Sequence, residues 1–123
     1  MRVLLIEDED HIREIAQLSL EAVAGWEVLG ANGGRQGLEM ATRERPDAIL
    51  LDVMMPDLDG PSTLARLRSD SATADIPVLF LTAKARAAER HELAELGAAG
   101  VIKKPFDPMT LAGQVAAALG WTL

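Results

Sequence analysis

The chain of 123 residues has no cysteine and no tyrosine, and only two phenylalanines and two tryptophans. Without cysteine there is no disulfide framework, no thiol chemistry and no zinc–thiolate site, which suits a cytoplasmic protein. So few aromatic rings leave no stacking platform for nucleic-acid bases. Positive charge is scarce too: 12 lysines and arginines face 19 acidic residues, a formal charge of −7. That balance favours solubility and opposes direct nucleic-acid binding. No apolar run approaches the ~20 residues that cross a bilayer. Met1 leads almost directly into Val3-Leu4-Leu5-Ile6 and then into acids, so neither a secretory signal nor membrane contact is expected. No linker and no internal repeat interrupts the chain, and its length suits one domain over 1–123 with no output domain following in this chain.

What is present is an alternation. Val3 to Ile6 is a short unbroken apolar run, as in a strand buried on both faces. Asp10 is placed to cap the helix that follows, with Ile12, Ile15, Ala16, Ser19, Ala22 and Val23 as its apolar stripe and Gly25 as its stop. Trp26 to Leu29 is a shorter strand with a polar position, suited to a sheet edge. A weaker helix through Leu38 and Ala41 closes near Glu44. Ala48 to Leu51 runs straight into Asp52. Asp59-Gly60-Pro61 has the form of a helix start, with Leu64 and Leu67 on the apolar side. Val78 to Leu81 is a fourth strand ending on Thr82, and Ala83 to Leu96 an alanine-rich helix stopped by Gly97. Gly100 to Lys103 is a fifth strand, and Asp107 caps a last helix through Met109, Leu111, Val115 and Leu119 to Gly120. Five βα units of this length predict an α/β fold: a parallel sheet with right-handed crossovers and helices on both faces.

Open sheets of this kind place ligands at the carboxyl ends of their strands. Those ends carry Glu7 and Asp8 on the first strand, Asp52 on the third, Thr82 on the fourth and Lys104 on the fifth. Singly, each has a plainer reading; Asp52 alone fits a helix cap or a solvated loop acid equally well. Together they set three carboxylates, a hydroxyl and an ammonium on one edge, with neighbouring strands about 4.8 Å apart. Two unit charges 4 Å apart repel by roughly 4 kcal/mol at an effective dielectric of 20. Protonation with a raised pKa would relieve that, and so would a hard divalent cation. Lys104 cannot neutralise three acids alone, which favours a Mg²⁺ site. A cation beside Asp52, with Thr82 and Lys104 near, suits stabilisation of a phosphoryl group, with Asp52 as the nucleophile forming an acyl phosphate.

The segments Val3-Leu4-Leu5-Ile6-Glu7-Asp8-Glu9, Leu50-Leu51-Asp52-Val53-Met54-Met55-Pro56-Asp57-Leu58-Asp59-Gly60, Leu81-Thr82-Ala83 and Lys104-Pro105-Phe106 occur in order, each at its own strand end. In this the chain resembles the CheY-like receiver domains of two-component response regulators, over essentially its whole length. The resemblance implies a flavodoxin-like, doubly wound (βα)5 fold with strand order 2-1-3-4-5. It implies that Asp52 accepts a phosphoryl group from a phosphohistidine, supplied by a sensor histidine kinase or a histidine phosphotransfer protein. Asp8 and Asp52 would hold Mg²⁺ together with the backbone carbonyl of Met54. Glu7, where the family often has aspartate, would act directly or through water. Thr82 would bond the phosphoryl group, Lys104 would pair with it, and the bond before Pro105 would be cis. The domain would catalyse its own aspartyl phosphorylation and dephosphorylation without turning over a separate substrate. Its partner surface would change on phosphorylation, as a monomer or a weak phosphorylation-dependent dimer acting on an unknown protein target.

Val101 stands where many receivers have an aromatic switch residue, so the signal would travel instead through the loop after Thr82. Met54 and Lys84 flank the acceptor and would tune access of water to the acyl phosphate. Lys103 reads as a surface lysine, His11 and His91 as solvent-facing, and Met40, Met55 and Met109 as packing residues. Trp26 and Trp121 lie away from the pocket. A flavin or nucleotide site on the same fold is disfavoured, because Glu7-Asp8-Glu9-Asp10 would repel phosphate. A phosphohydrolase with an aspartate nucleophile typically has a second acid two residues on, where this chain has Met54. A degenerate receiver usually lacks the aspartate or the lysine, and both are here.

Overall fold

A computed structural model describes residues 1–83 and 86–123. Its elements alternate in chain order: β1 (Arg2–Ile6), α1 (Asp10–Ala24), β2 (Glu27–Ala31), α2 (Gly34–Glu44), β3 (Ala48–Asp52), α3 (Gly60–Ser69), β4 (Val78–Thr82), α4 (Ala87–Glu95), β5 (Gly100–Lys103) and α5 (Leu111–Leu119). The strands pair in parallel in the order β2-β1-β3-β4-β5, the doubly wound order expected. β2 lies at an edge, as its polar composition suggests. β1 and β3 flank the point where the winding reverses, and the crevice of such a sheet opens beyond their carboxyl ends.

The side-chain alternation of the strands divides the core in two. Val3, Leu5, Leu50, Leu79, Leu81 and Ile102 face Ala16 and Leu20 of α1 and Leu111, Ala112 and Val115 of α5. Leu4, Ile6, Ile49, Leu51, Val78 and Phe80 face Ala41 of α2, Leu64 and Leu67 of α3 and Leu93 of α4. Both sheet faces are therefore covered, which is why β1, β3 and β4 are nearly continuous apolar runs. Each fully buried leucine contributes about 1.5–3 kcal/mol relative to exposure.

Several local expectations are corrected. Glu9, not Asp10, is the N-cap of α1, and its side chain makes no capping bond; Asp10 is the first helical residue and pairs with Arg13. The stripe on α1 is turned, so that Ala16, Ser19 and Leu20 are buried, while Ile15, Leu18, Ala22 and Val23 are exposed. α4 begins at Ala87, later than the alanine-rich run suggests. Asp107 opens a turn by accepting from the N–H groups of Met109, Thr110 and Leu111, but α5 begins only at Leu111, and Met109 is exposed rather than packed. Asp59 does cap α3, accepting from Ser62 N at 2.7 Å ahead of Pro61. Gly25 and Gly120 end α1 and α5 in the left-handed conformation that glycine tolerates. Among the described residues, no helix is long and apolar enough to cross a membrane.

Candidate functional site

Beyond the carboxyl ends of β1, β3, β4 and β5 lies a cavity of about 580 Å³. Glu7, Asp8, Asp52, Met54, Thr82, Lys104 and Pro105 all line it, so the residues singled out by strand-end position are brought to one place. β3 delivers Asp52 on a strand buried at every position, and Asp52 is only 3% exposed. Glu7 follows β1, with its N–H still paired to Ala31 O at 3.0 Å, and its side chain is wholly buried. Thr82, the last residue of β4, is buried beside them. Lys104 follows β5, its N–H held by Thr82 O at 2.7 Å, and the Lys104–Pro105 bond is cis as expected.

The charges meet closely. Lys104 Nζ donates to Glu7 Oε1 at 2.8 Å and stands 2.9 Å from Asp52 Oδ1. One carboxylate oxygen each of Glu7, Asp8 and Asp52 lies within 4.8 Å of the others. One ammonium against three carboxylates leaves net negative charge in a largely buried space, and the pocket shows how it is shared. Burial pushes the Glu7 carboxyl up, the Lys104 hydrogen bond pulls it down and the Asp52 charge pushes it up again, leaving it at about 7. Burial disfavours the Lys104 ammonium, but its hydrogen bonds to Glu7 and Asp52 outweigh that and raise its pKa. The donor set is oxygen alone, without imidazole or sulfur, and three acids so close together suit a hard divalent cation.

The loop after Asp52 is pinned on both sides. Gly60 N donates to Val53 O at 2.8 Å, and a Cβ on Gly60 would come within 2.6 Å of Asp52 O, so only glycine lets α3 approach the strand end this closely. Asp57 reaches across to the start of α2, accepting from Gly34 N at 3.2 Å and Arg35 N at 3.1 Å. These backbone hydrogen bonds outweigh burial and lower the Asp57 pKa. On the other side, Arg13 Nη1 donates to Glu7 O at 2.8 Å and Arg13 Nη2 to Asp10 Oδ1 at 2.7 Å. Ile12 and Ile15 of α1 and Phe106 and Pro108 after β5 supply apolar wall, and Ser19 on α1 donates to Pro108 O.

Asp57 and Arg13 do not emerge from sequence reasoning. The i,i+3 spacing of Asp10 and Arg13 is one available signal; nothing in the sequence marks the reach of Asp57 to a helix 23 residues away. Val101 is partly buried against the α2–α3–α4 side of the core and does not line the cavity. Lys103, His11 and His91 are exposed, and His91 Nε2 lies 2.9 Å from Glu95 Oε1. Met55 is buried and Met40 half-buried, whereas Met54 is 74% exposed at the rim. Trp26 and Trp121 stack edge to face, with centroids 5.2 Å apart, and neither lines the cavity. Lys84 lies outside the described residues.

The sequence pattern described as the response regulator receiver domain matches residues 3–116. The response regulator MprA of Mycobacterium leprae is 41% identical over 97% of this chain and 51% of its own. The phosphate regulon transcriptional regulatory protein PhoB of Pseudomonas aeruginosa is 38% identical over 95% of this chain and 51% of its own. The DNA-binding dual master transcriptional regulator RpaA of Synechocystis is 39% identical over 96% of this chain and 48% of its own. The chain thus spans about half the length of these relatives. Among solved structures, the chemotaxis response regulator CheY4 of Vibrio cholerae superposes with a TM-score of 0.88 at 33% identity, covering 95% of this chain and 97% of that one.

Proposed function

The chain belongs to the response regulator receiver domain family, and from that premise we propose that Asp52 is its phosphoacceptor and Glu7, Asp8 and Asp52 its Mg²⁺ site. It is a receiver domain of the two-component response regulators, homologous to phosphorylation-activated switches. The observation that carries the reading is the position of Asp52. It ends a buried strand within a cluster of acids, its Oδ1 2.9 Å from Lys104 Nζ, in a cavity shared with Thr82.

The chemistry follows from these groups. A carboxylate oxygen of Asp52 attacks phosphorus, the N–P bond of a partner's phosphohistidine breaks, and the imidazole leaves with the electron pair and takes up a proton. The product is an acyl phosphate on Asp52. Lys104, already bridging Glu7 and Asp52, exchanges a carboxylate contact for a phosphoryl oxygen, and the Thr82 hydroxyl donates to another. The carbonyl of Met54 would complete the metal's protein ligands, and Mg²⁺, when bound, supplies charge neutralisation for the phosphoryl oxygens. Met54, exposed at the rim, governs access of water to the acyl phosphate together with Lys84. No separate substrate is turned over.

The donor is a sensor histidine kinase or a histidine phosphotransfer protein in the cytoplasm, and the output is a changed protein-binding surface around α4, β5 and α5. α4 supports this role, since among its residues Leu93 alone is buried. With Val101 in place of an aromatic, the change passes through the segment after Thr82. The charge of −7 supports partner choice without direct nucleic-acid contact by these 123 residues, as a monomer or a weak phosphorylation-dependent dimer.

Incubation with acetyl phosphate and Mg²⁺, followed by intact mass, tests the reading. The expected result is one phosphoryl group on the wild type and none on Asp52→Asn or in EDTA. Equal labelling of Asp52→Asn would contradict it.

A further inference from the structure

We propose that Arg13 is a positioning residue for the acidic pocket: by joining the Glu7 carbonyl to the Asp10 carboxylate, its guanidinium sets the Glu7–Asp8 peptide so that both carboxylates converge on Asp52. The inference rests on the cation-binding reading of that pocket.

Lys104 holds the Glu7 carboxylate at 2.8 Å but not the backbone of the turn after β1. β1 leaves the sheet once Glu7 N has bonded Ala31 O, and the Glu7 carbonyl is held by Arg13 Nη1 at 2.8 Å. The same guanidinium holds Asp10 at 2.7 Å, and Arg13 N bonds Glu9 O at 3.0 Å. Glu9 N closes the turn on Glu7 Oε2 at 3.2 Å. One arginine thus touches Glu7, Glu9 and Asp10, and Asp8 lies between them.

β2 is shaped to admit it. A Cβ on Gly30 would stand 3.3 Å from Arg13 Cδ, so the absent side chain leaves a lane for the arginine stem. The Asp10 contact is solvent-exposed and contributes little by itself. The charge-assisted bond to the carbonyl of the buried Glu7 is the stronger of the two. A planar fork can hold both acceptors at once, which the point charge of a lysine cannot reproduce.

The sign of the effect on Mg²⁺ separates this role from a bystander's. A cation beside an acidic site weakens metal binding by simple electrostatics, so deleting a bystander arginine would leave Mg²⁺ affinity unchanged or raise it. Deleting a positioning residue lowers affinity although a repelling charge has gone. Loss of a partner that orients a metal ligand typically weakens affinity about 10- to 100-fold. One step more remote, Arg13→Ala is expected to weaken Mg²⁺ about tenfold.

The test is a Mg²⁺ titration followed by amide chemical shifts of the wild type, Arg13→Ala and Arg13→Lys, each with its thermal midpoint. No response from the wild type would refute the cation site itself. A wild type that titrates beside a folded Arg13→Ala of equal or tighter affinity would overturn the positioning role alone. Weaker binding by Arg13→Ala, with Arg13→Lys only partly restoring it, is the expected outcome. If Arg13→Ala does not fold, Arg13→Lys decides, and wild-type affinity there overturns the proposal.

Discussion

Glu7 is wholly buried, and its nearest charges are Lys104 and Asp52. Its carboxyl is raised from 4.5 to about 7, first by burial and then by Asp52, with Lys104 opposing. Between those two values the folded chain holds a proton that the unfolded chain has released, so stability falls as pH rises through that window and levels off above it. Denaturant titrations in EDTA at intervals from pH 4.5 to pH 7 are expected to show this decline in the wild type and a flatter course in Glu7→Gln, whose amide mimics the protonated acid. Parallel curves would show that Glu7 is not the titrating group. Asp57 works in the other sense. Backbone N–H groups lower its pKa from 3.8, so its contribution is present above that value and is lost as acid drives the pH through the lower folded one. The pocket residues themselves are legible from sequence, because each ends a strand whose apolar run is plain to read. Asp57 is not, and of Arg13 only the i,i+3 pairing with Asp10 can be read, since the other contacts are to backbone groups and a backbone group has no letter in the sequence.

The elements around the pocket owe their arrangement to close approaches. α3 comes so near the end of β3 that a Cβ on Gly60 would collide with Asp52 O at 2.6 Å, a backbone atom that cannot swing aside. Gly60→Ala is therefore expected to cost about 1–3 kcal/mol in chemical denaturation, as overpacked sites do, and to slow phosphorylation of Asp52 by moving its loop. Wild-type stability and rate in that variant would show that the approach is slack. Asp57 ties the same loop to the first turn of α2, and Asp57→Ala is expected to lose about 0.5–2 kcal/mol, the range for a lost helix cap. The order of elements and the two-sided sheet follow from apolar runs and helix stops. The facing of α1 does not. Ile15, Leu18 and Val23 are as apolar as the buried Ala16 and Leu20, so composition leaves its rotation open, and docking against α5 and β2 decides it. The start of α4 is hidden for a related reason: alanine favours a helix from Ala83 onward, whereas Ala83 itself is not helical and α4 begins at Ala87.

In the whole molecule, anchoring is uneven. β1, β3 and β4 are buried almost throughout, while α4 buries Leu93 alone and lies at the β5 end of the sheet, beyond Thr82. A switch biased by a phosphoryl group at Asp52 and Thr82 would spend its free energy where least packing is lost, which is α4. Amide exchange is expected to be fastest among the helices in α4 and to change there when beryllofluoride and Mg²⁺ are added, with little change in β1 or α2. A Thr82→Ala variant should bind the same ligands and lose the α4 response. An unchanged response in Thr82→Ala would place the coupling elsewhere. The most direct measurement is chemical location of the phosphoryl group: label the protein with acetyl phosphate and Mg²⁺, reduce the acyl phosphate with borohydride, and sequence the peptides by mass. Homoserine at position 52 and at no other acid is the expected result. Homoserine at position 8, the five-carbon 5-hydroxy amino acid that a glutamyl phosphate would give at position 7, or no alcohol at all from a protein carrying one phosphoryl group, would contradict the assignment of Asp52.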